Sequence, residues 1–198
     1  VLEAHIAAGG GRFRGIRHAA GWDASAAIRN SHTNPSESLF LDATFRSGFA
    51  ALAPLGLSFE GWCYHPQIPE LTDLARAFPD TTIILNHFGG PLGVGPYQGK
   101  QSLYLEQWKR DIAALSQCQN VQAKLGGINM RINGYAWDER DRPPSSEELA
   151  AATKIYYEHC IERFGADRCL FESNFPVDKV SVGYNVLWNT FKRITAGC

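Results

Sequence analysis

Five times along the 198 residues, a short apolar run rich in β-branched or aromatic side chains gives way to a longer stretch of helical periodicity. No tight-turn sequence joins one such run directly to the next. Antiparallel strands close through two-residue turns, whereas parallel strands need crossovers of a dozen or more residues. The pattern therefore predicts an α/β protein with a parallel sheet, either doubly wound or a (β/α) barrel.

Strands are expected over 13–18, 57–63, 81–87, 120–125 and from Cys169 toward Asn174, where Pro176 stops the run. The run 81–87 is the clearest, because it is β-branched, apolar and ended by Gly89-Gly90-Pro91. Helices are expected over 1–8, 69–78, 102–116 and 182–194. Ser36 stands where an N-cap belongs, ahead of Leu39, Phe40, Ala43, Phe49 and Leu52, and Pro54 with Gly56 ends that run. Ser145 and Glu148 have capping-box spacing for a further helix to about Phe164. The intervening segment 129–146 is long and mixed, and loops of that length are commonly functional. A Rossmann glycine fingerprint and a Walker lysine are both missing.

One domain of this length buries a substantial core. The net charge of −1 and 44% hydrophobic content indicate neither a nucleic-acid partner nor a membrane surface, and no apolar run approaches the roughly 20 residues of a membrane span. Cys63, Cys118, Cys160, Cys169 and Cys198 are odd in number and irregularly spaced, without a CxxC pair, so a reducing cytoplasm is expected rather than a disulfide framework. The chain opens on Val1 within a helical stretch and stops after another helix, which reads as a fragment.

Strand alternation distributes the polar residues. Glu60 shares a face with Ser58 and Trp62, Lys124 with Gln122, and Glu172 with Leu170 and Asn174, while His87 follows Ile83 and Leu85. Arg17 or His18 ends the first strand, and His65 leaves the end of the second. A strand-end Asn174 alone reads equally well as a turn cap before Pro176. Five strands that each deliver a titratable or amide group to the same end form a constellation, which is where α/β enzymes place their chemistry. Glu60 and Glu172, if buried, need partners such as Arg17 and Lys124. Trp22, Tyr64, Tyr97, Tyr135 and Trp137 fall in loops and suggest walls for a small-molecule substrate. His5 and His159 are expected to be solvated, His32 to lie in a loop, and Gly93, Gly95 and Gly99 to be loop tips.

The segments 13–18, 57–60, 84–91, 121–127 and 170–176 occur in the order seen in the amidohydrolase-related TIM-barrel family, which the chain resembles over nearly its whole length. The branch it is similar to holds metal-dependent hydrolases, including fuconolactonase-like and pyrone-dicarboxylate lactonase-like enzymes. The resemblance implies a partial (β/α)8 barrel, about the last five strand–helix units, lacking the amino-terminal strands and a closing tail. Such an arc has open edges, so it implies either a longer chain or a second copy in a homo-oligomer.

In that family the residue at His87 orients or polarises a substrate carbonyl and sometimes ligates metal, and the arginine at Arg17 holds a substrate carboxylate. The final strand normally ends in an aspartate, and here that position is Asn174, which is neither a general base nor a good ligand. Glu172 is then the expected base, with Asn174 orienting water. His18, Glu60, His65 and Lys124 complete the expected substrate-binding set. One divalent metal of zinc type, or none, is left open, since no HxH motif occurs and His87 is the one clear ligand. The implied activity is hydrolysis of a lactone or a related small carboxylate-bearing cyclic ester. A decarboxylase or hydratase of the same superfamily and a non-catalytic binding barrel are the alternatives.

Overall fold

The computed structural model describes residues 1–196; Cys198 lies outside them. The strands β1 (Gly15–Ala19), β2 (Ser58–Trp62), β3 (Ile83–Leu85), β4 (Val121–Leu125) and β5 (Cys169–Phe171) form one sheet. Its spatial order is the order in sequence, and every neighbouring pair is parallel. The helices are α1 (Leu2–Gly9), α2 (Ala43–Phe49), α3 (Ile68–Ala77), α4 (Gln101–Ser116), α5 (Ser146–Phe164) and α6 (Tyr184–Ile194). Helices α3 to α6 pack each against the next, as the outer layer of a barrel wall does. None of the described helices is long and apolar enough to cross a membrane.

The register sorts the side chains. Arg17 lies beside Glu60, Glu60 beside Ile84, Ile84 beside Gln122, and Lys124 beside Leu170. Residues level with one another in a parallel sheet share a face, so these point to one side. The opposite side carries Phe59, Ile83, Leu85, Val121, Ala123 and Leu125, all buried under the helices. Phe59 meets Phe49 edge-on at 5.0 Å between ring centroids, which seats α2 on the sheet. Trp108 of α4 donates its indole N–H to the Phe88 carbonyl at 2.8 Å. One face is thus a dry core, while the polar face is only partly covered.

Several boundaries move from those expected. The run from Ser36 to Leu52 is not one helix. A short 3-10 turn (Leu39–Leu41) precedes α2, and Asp42 rather than Ser36 caps α2 by accepting from Phe45 N–H at 2.7 Å. β5 ends at Phe171, short of Asn174, and Leu170 within it is 41% exposed. The physical reason is its position at the sheet edge, with β4 as its only strand partner among the described residues. Gly93 is not a loop tip either. Its N–H donates to the Ile132 carbonyl at 2.8 Å, and a Cβ there would overlap the Asn133 backbone. Asn133 Nδ2 also donates to the Pro91 carbonyl at 2.7 Å, so the loops after β3 and β4 are tied together. His159 is buried, with Nε2 3.0 Å from the Lys109 carbonyl, not solvated.

At the amino-terminal ends of the strands two side chains collect backbone carbonyls. Asn120 Nδ2 lies 3.2, 3.0 and 3.0 Å from the carbonyls of Ala75, Phe78 and Thr81. The Arg168 guanidinium donates to Phe164, Cys118 and Ser116, each at 3.0 Å, and to Val121 at 3.3 Å. Truncating Arg168 leaves these carbonyls without their donor. Arg168→Ala is expected to lower unfolding stability by about 1–3 kcal/mol. A urea melt checks this through a lower midpoint at an unchanged slope; an unchanged midpoint contradicts it.

Candidate active site

The site is assembled where the chain leaves the strands. After β3, the residues His87, Phe88, Gly89 and Gly90 all adopt positive φ, at 52°, 58°, 66° and 46°. Simple alternation would put His87 with Ile83 and Leu85 on the helix-covered face. The left-handed turn carries it instead to Glu172, whose Oε1 contacts His87 Nδ1. Both atoms are buried and neither has another partner among the described residues. Trp62, from the polar face of β2, packs edge-on against the imidazole at 5.0 Å.

Gly126 and Gly127 make that contact possible. A Cβ on Gly126 would overlap the Glu172 carbonyl, and a Cβ on Gly127 would overlap the His87 ring. Gly127 also has φ of 77°, so both space and backbone conformation call for glycine.

A second group lies on the polar face of the sheet. Arg17 Nε donates to Glu60 Oε2 at 2.8 Å, and Lys124 Nζ lies 3.1 Å from Glu60 Oε1. Burial pushes the Glu60 carboxyl up, but hydrogen bonds from Arg17 and Lys124 outweigh it and hold the group below its ordinary range. Two cations share one carboxylate, which leaves a net positive charge. Lys124 stands two residues before Gly126, about 7 Å along the strand direction, so the cations and the His87–Glu172 pair share one side of the sheet.

The third group follows β5. Asn174, at φ of 51°, donates from Nδ2 to Asp178 Oδ1 at 2.8 Å. Asp178 is completely buried, and its Oδ2 accepts from the backbone N–H of Asn129 at 3.3 Å. Burial pushes its carboxyl pKa up to about 6, against the opposing hydrogen bonds from Asn174 and Asn129 and the nearness of His87. Asp178 is the buried carboxylate beside these groups that strand alternation does not find. It lies past Pro176 in a 3-10 turn (Val177–Val180), and its one sequence signal is the i, i+4 spacing from Asn174.

Of the expected site residues, His87, Glu172, Arg17, Glu60 and Lys124 are thus gathered into interacting groups, and Asn174 is joined to Asp178. His18 is not among them. It faces away from Arg17, and its ring lies 5.9 Å from Phe45; burial and nearby His32 lower its pKa. His65 is buried and accepts from Leu92 N–H through Nδ1 at 3.1 Å, between Tyr97 and Tyr104. Burial lowers its pKa to about 4, against the pull of Asp23, so at neutral pH it is an uncharged brace for the loop after β3. The loop aromatics largely pin loops: Tyr64 donates to the Arg29 carbonyl, and Tyr97 donates to Asp23 Oδ2 at 2.7 Å. Trp137 stacks on Tyr135 and lines a cleft of about 670 Å³ with Phe175, Lys179 and Tyr184, but neither His87 nor Glu172 borders it.

Among the described residues, no three His, Cys, Asp or Glu side chains converge on a point that could hold a metal ion. His87 and Glu172 supply two donors, short of the three or four that zinc takes. These residues do not make a metal centre by themselves, and no chemical step is routed through one below.

A parallel sheet walled by helices on one face, with ionisable residues at its carboxyl ends, is the architecture of a (β/α)-barrel segment. The chain belongs to the amidohydrolase family, whose profile matches residues 1–198. It is 37% identical over 185 residues to the uncharacterized protein y4mH of Sinorhizobium fredii (strain NBRC 101917 / NGR234), covering 93% of this chain and 54% of that one. An amidohydrolase from Burkholderia multivorans with bound HEPES superposes with a TM-score of 0.76 at 20% identity, over 98% of this chain and 62% of that one. The same protein has been solved with bound zinc (TM-score 0.72, 19% identity, 97% and 62% coverage). A Pseudomonas putida protein assigned as a 2-pyrone-4,6-dicarboxylic acid hydrolase gives 0.64 at 21% identity, over 100% of this chain and 60% of that one. The chain therefore spans a little over half the length of its curated relative, and these structures establish it as a partial barrel.

The buried Asp178 has a pH signature. Its pKa is raised from the ordinary aspartate value of about 3.9, so the folded state holds the proton more tightly than the unfolded chain does. The resulting stability is full below about pH 4 and is lost as pH rises toward 6, at up to about 1.4 kcal/mol per pH unit. Urea unfolding at pH 4, 5, 6 and 7 is expected to show the protein losing stability relative to its Asp178→Asn variant across that window. A pH-independent difference rules the assignment out.

Proposed function

We propose that this chain supplies the substrate-anchoring and proton-transfer groups of a hydrolase that opens a lactone or a related small cyclic ester bearing a carboxylate. The observation that carries the reading is the pairing of His87 with Glu172 on the same side of the sheet as the Arg17–Glu60–Lys124 cluster. Glu172 faces Nδ1, which leaves Nε2 as the ring nitrogen that takes a proton from water. The water oxygen bonds to the ester carbonyl carbon, and the ring C–O bond breaks. The proton held by His87 then passes to the departing alkoxide, and Glu172 stabilises the imidazolium between these steps. Asn174 orients the water without acting as the base, since an amide has no proton affinity to serve that role.

Arg17 and Lys124 carry one charge more than Glu60 neutralises, which suits a carboxylate on the substrate. The dicarboxylate for which the Pseudomonas relative is named has that character. Family membership supports hydrolysis in general, and the cation pair supports an anionic cyclic substrate.

The test is a panel of lactones with and without a carboxylate, assayed with the complete protein. His87→Ala and Glu172→Gln are expected to lower kcat by roughly 10²–10⁴-fold. Lys124→Ala is expected to raise KM selectively for the carboxylate-bearing substrates. A ring-opened hydroxy acid formed without CO2 separates hydrolysis from decarboxylation. Unchanged rates in both His87→Ala and Glu172→Gln reject the assignment.

A further inference from the structure

Asp178 is a buried carboxylate that the steps above leave unused, and it is bound unusually fully for a turn residue. Its two oxygens accept from two different donors, Asn174 Nδ2 at 2.8 Å and Asn129 N–H at 3.3 Å. Its own N–H donates back to the Asn174 carbonyl at 3.1 Å, closing the turn. Asn129 is itself fixed, because its carbonyl accepts from Ser181 Oγ at 2.6 Å. Only a side chain with two acceptor oxygens satisfies both donors at once. An amide in the same place offers one acceptor and sets its NH2 against the other donor.

A carboxylate at position 174 would present an acceptor whichever way it turned. An asparagine does so in one of its two flips only. Anchoring Nδ2 on Asp178 selects that flip and leaves Oδ1 free of the Asp178 carboxylate. We propose that Asp178 is a positioning residue for the hydrolysis, holding Asn174 so that its amide oxygen accepts a hydrogen bond from the reacting water. The proposal rests on the lactone-hydrolase reading above.

The experiment is a kinetic double-mutant cycle in the complete protein. Asp178→Asn is expected to lower kcat on the order of 10²-fold, with KM within about twofold, as for an interaction made only in the transition state. Asn174→Ala is expected to do the same. Adding Asp178→Asn to Asn174→Ala is expected to change nothing further, because the two act as one unit. Additive losses place the effect of Asp178 elsewhere and overturn the proposal. Wild-type kcat in Asp178→Asn, with activity lost in His87→Ala, overturns the proposal and leaves the hydrolase reading standing. Activity kept in His87→Ala removes that reading and the proposal with it.

If Asp178→Asn fails to fold, the unmodified protein still decides. The Asn174 side-chain NH2 resonances, assigned by their loss in Asn174→Ala, are expected to be protected from solvent exchange and to shift as Asp178 titrates. A freely exchanging, pH-insensitive pair overturns the proposal.

Discussion

The contact between His87 and Glu172 depends on two missing side chains. Gly126 and Gly127 leave β4 between the turn after β3 and the end of β5, and any Cβ at either position would occupy space that His87 or Glu172 fills. The imidazole and the carboxylate meet because the strand between their own strands has no bulk at its end. The left-handed run from His87 to Gly90 then becomes intelligible, since it departs from the strand period that would leave the imidazole on the helix-covered face. His65, Asn133 and the Trp108 indole hold the turn and its following loop through backbone groups of Leu92, Pro91 and Phe88.

The ionisable groups are organised by the same geometry. Glu60 is partly buried and would resist ionising, yet Arg17 from β1 and Lys124 from β4 reach it across the face that the helices do not cover. A half-buried pair of this kind adds little net stability, because desolvation offsets most of the attraction. Its consequence is functional: two cations are held in place with only one of them neutralised. Asp178 is the opposite case, a carboxylate so buried that its proton is hard to remove, and its hydrogen bonds go to groups that shape the end of the site.

How much of this was legible in the sequence follows from the range of each interaction. The strand–helix alternation, the capping box at Ser145 and Glu148, and the face shared by Glu60, Trp62, Gln122 and Lys124 all depend on neighbours within a few residues, so local periodicity reveals them. Trp62 was on the readable face, and its contact with His87 is consistent with that placement. His18 and His65 looked like members of the strand-end set, but alternation turns one toward Phe45 and a backbone amide claims the other.

By itself the sequence determined a parallel α/β sheet and the strand ends at which polar residues gather. That is because the period of two along a strand and the long crossovers are local properties. Only the tertiary structure decided which of those residues touch. His87 reaches Glu172 through a turn that breaks the strand period, Lys124 reaches Glu60 across β3, and Asp178 enters through a turn beyond Pro176. The first two contacts, and the one Asp178 makes with the Asn129 N–H, join segments whose separation in the chain carries no periodic signal, so only folding could set them side by side.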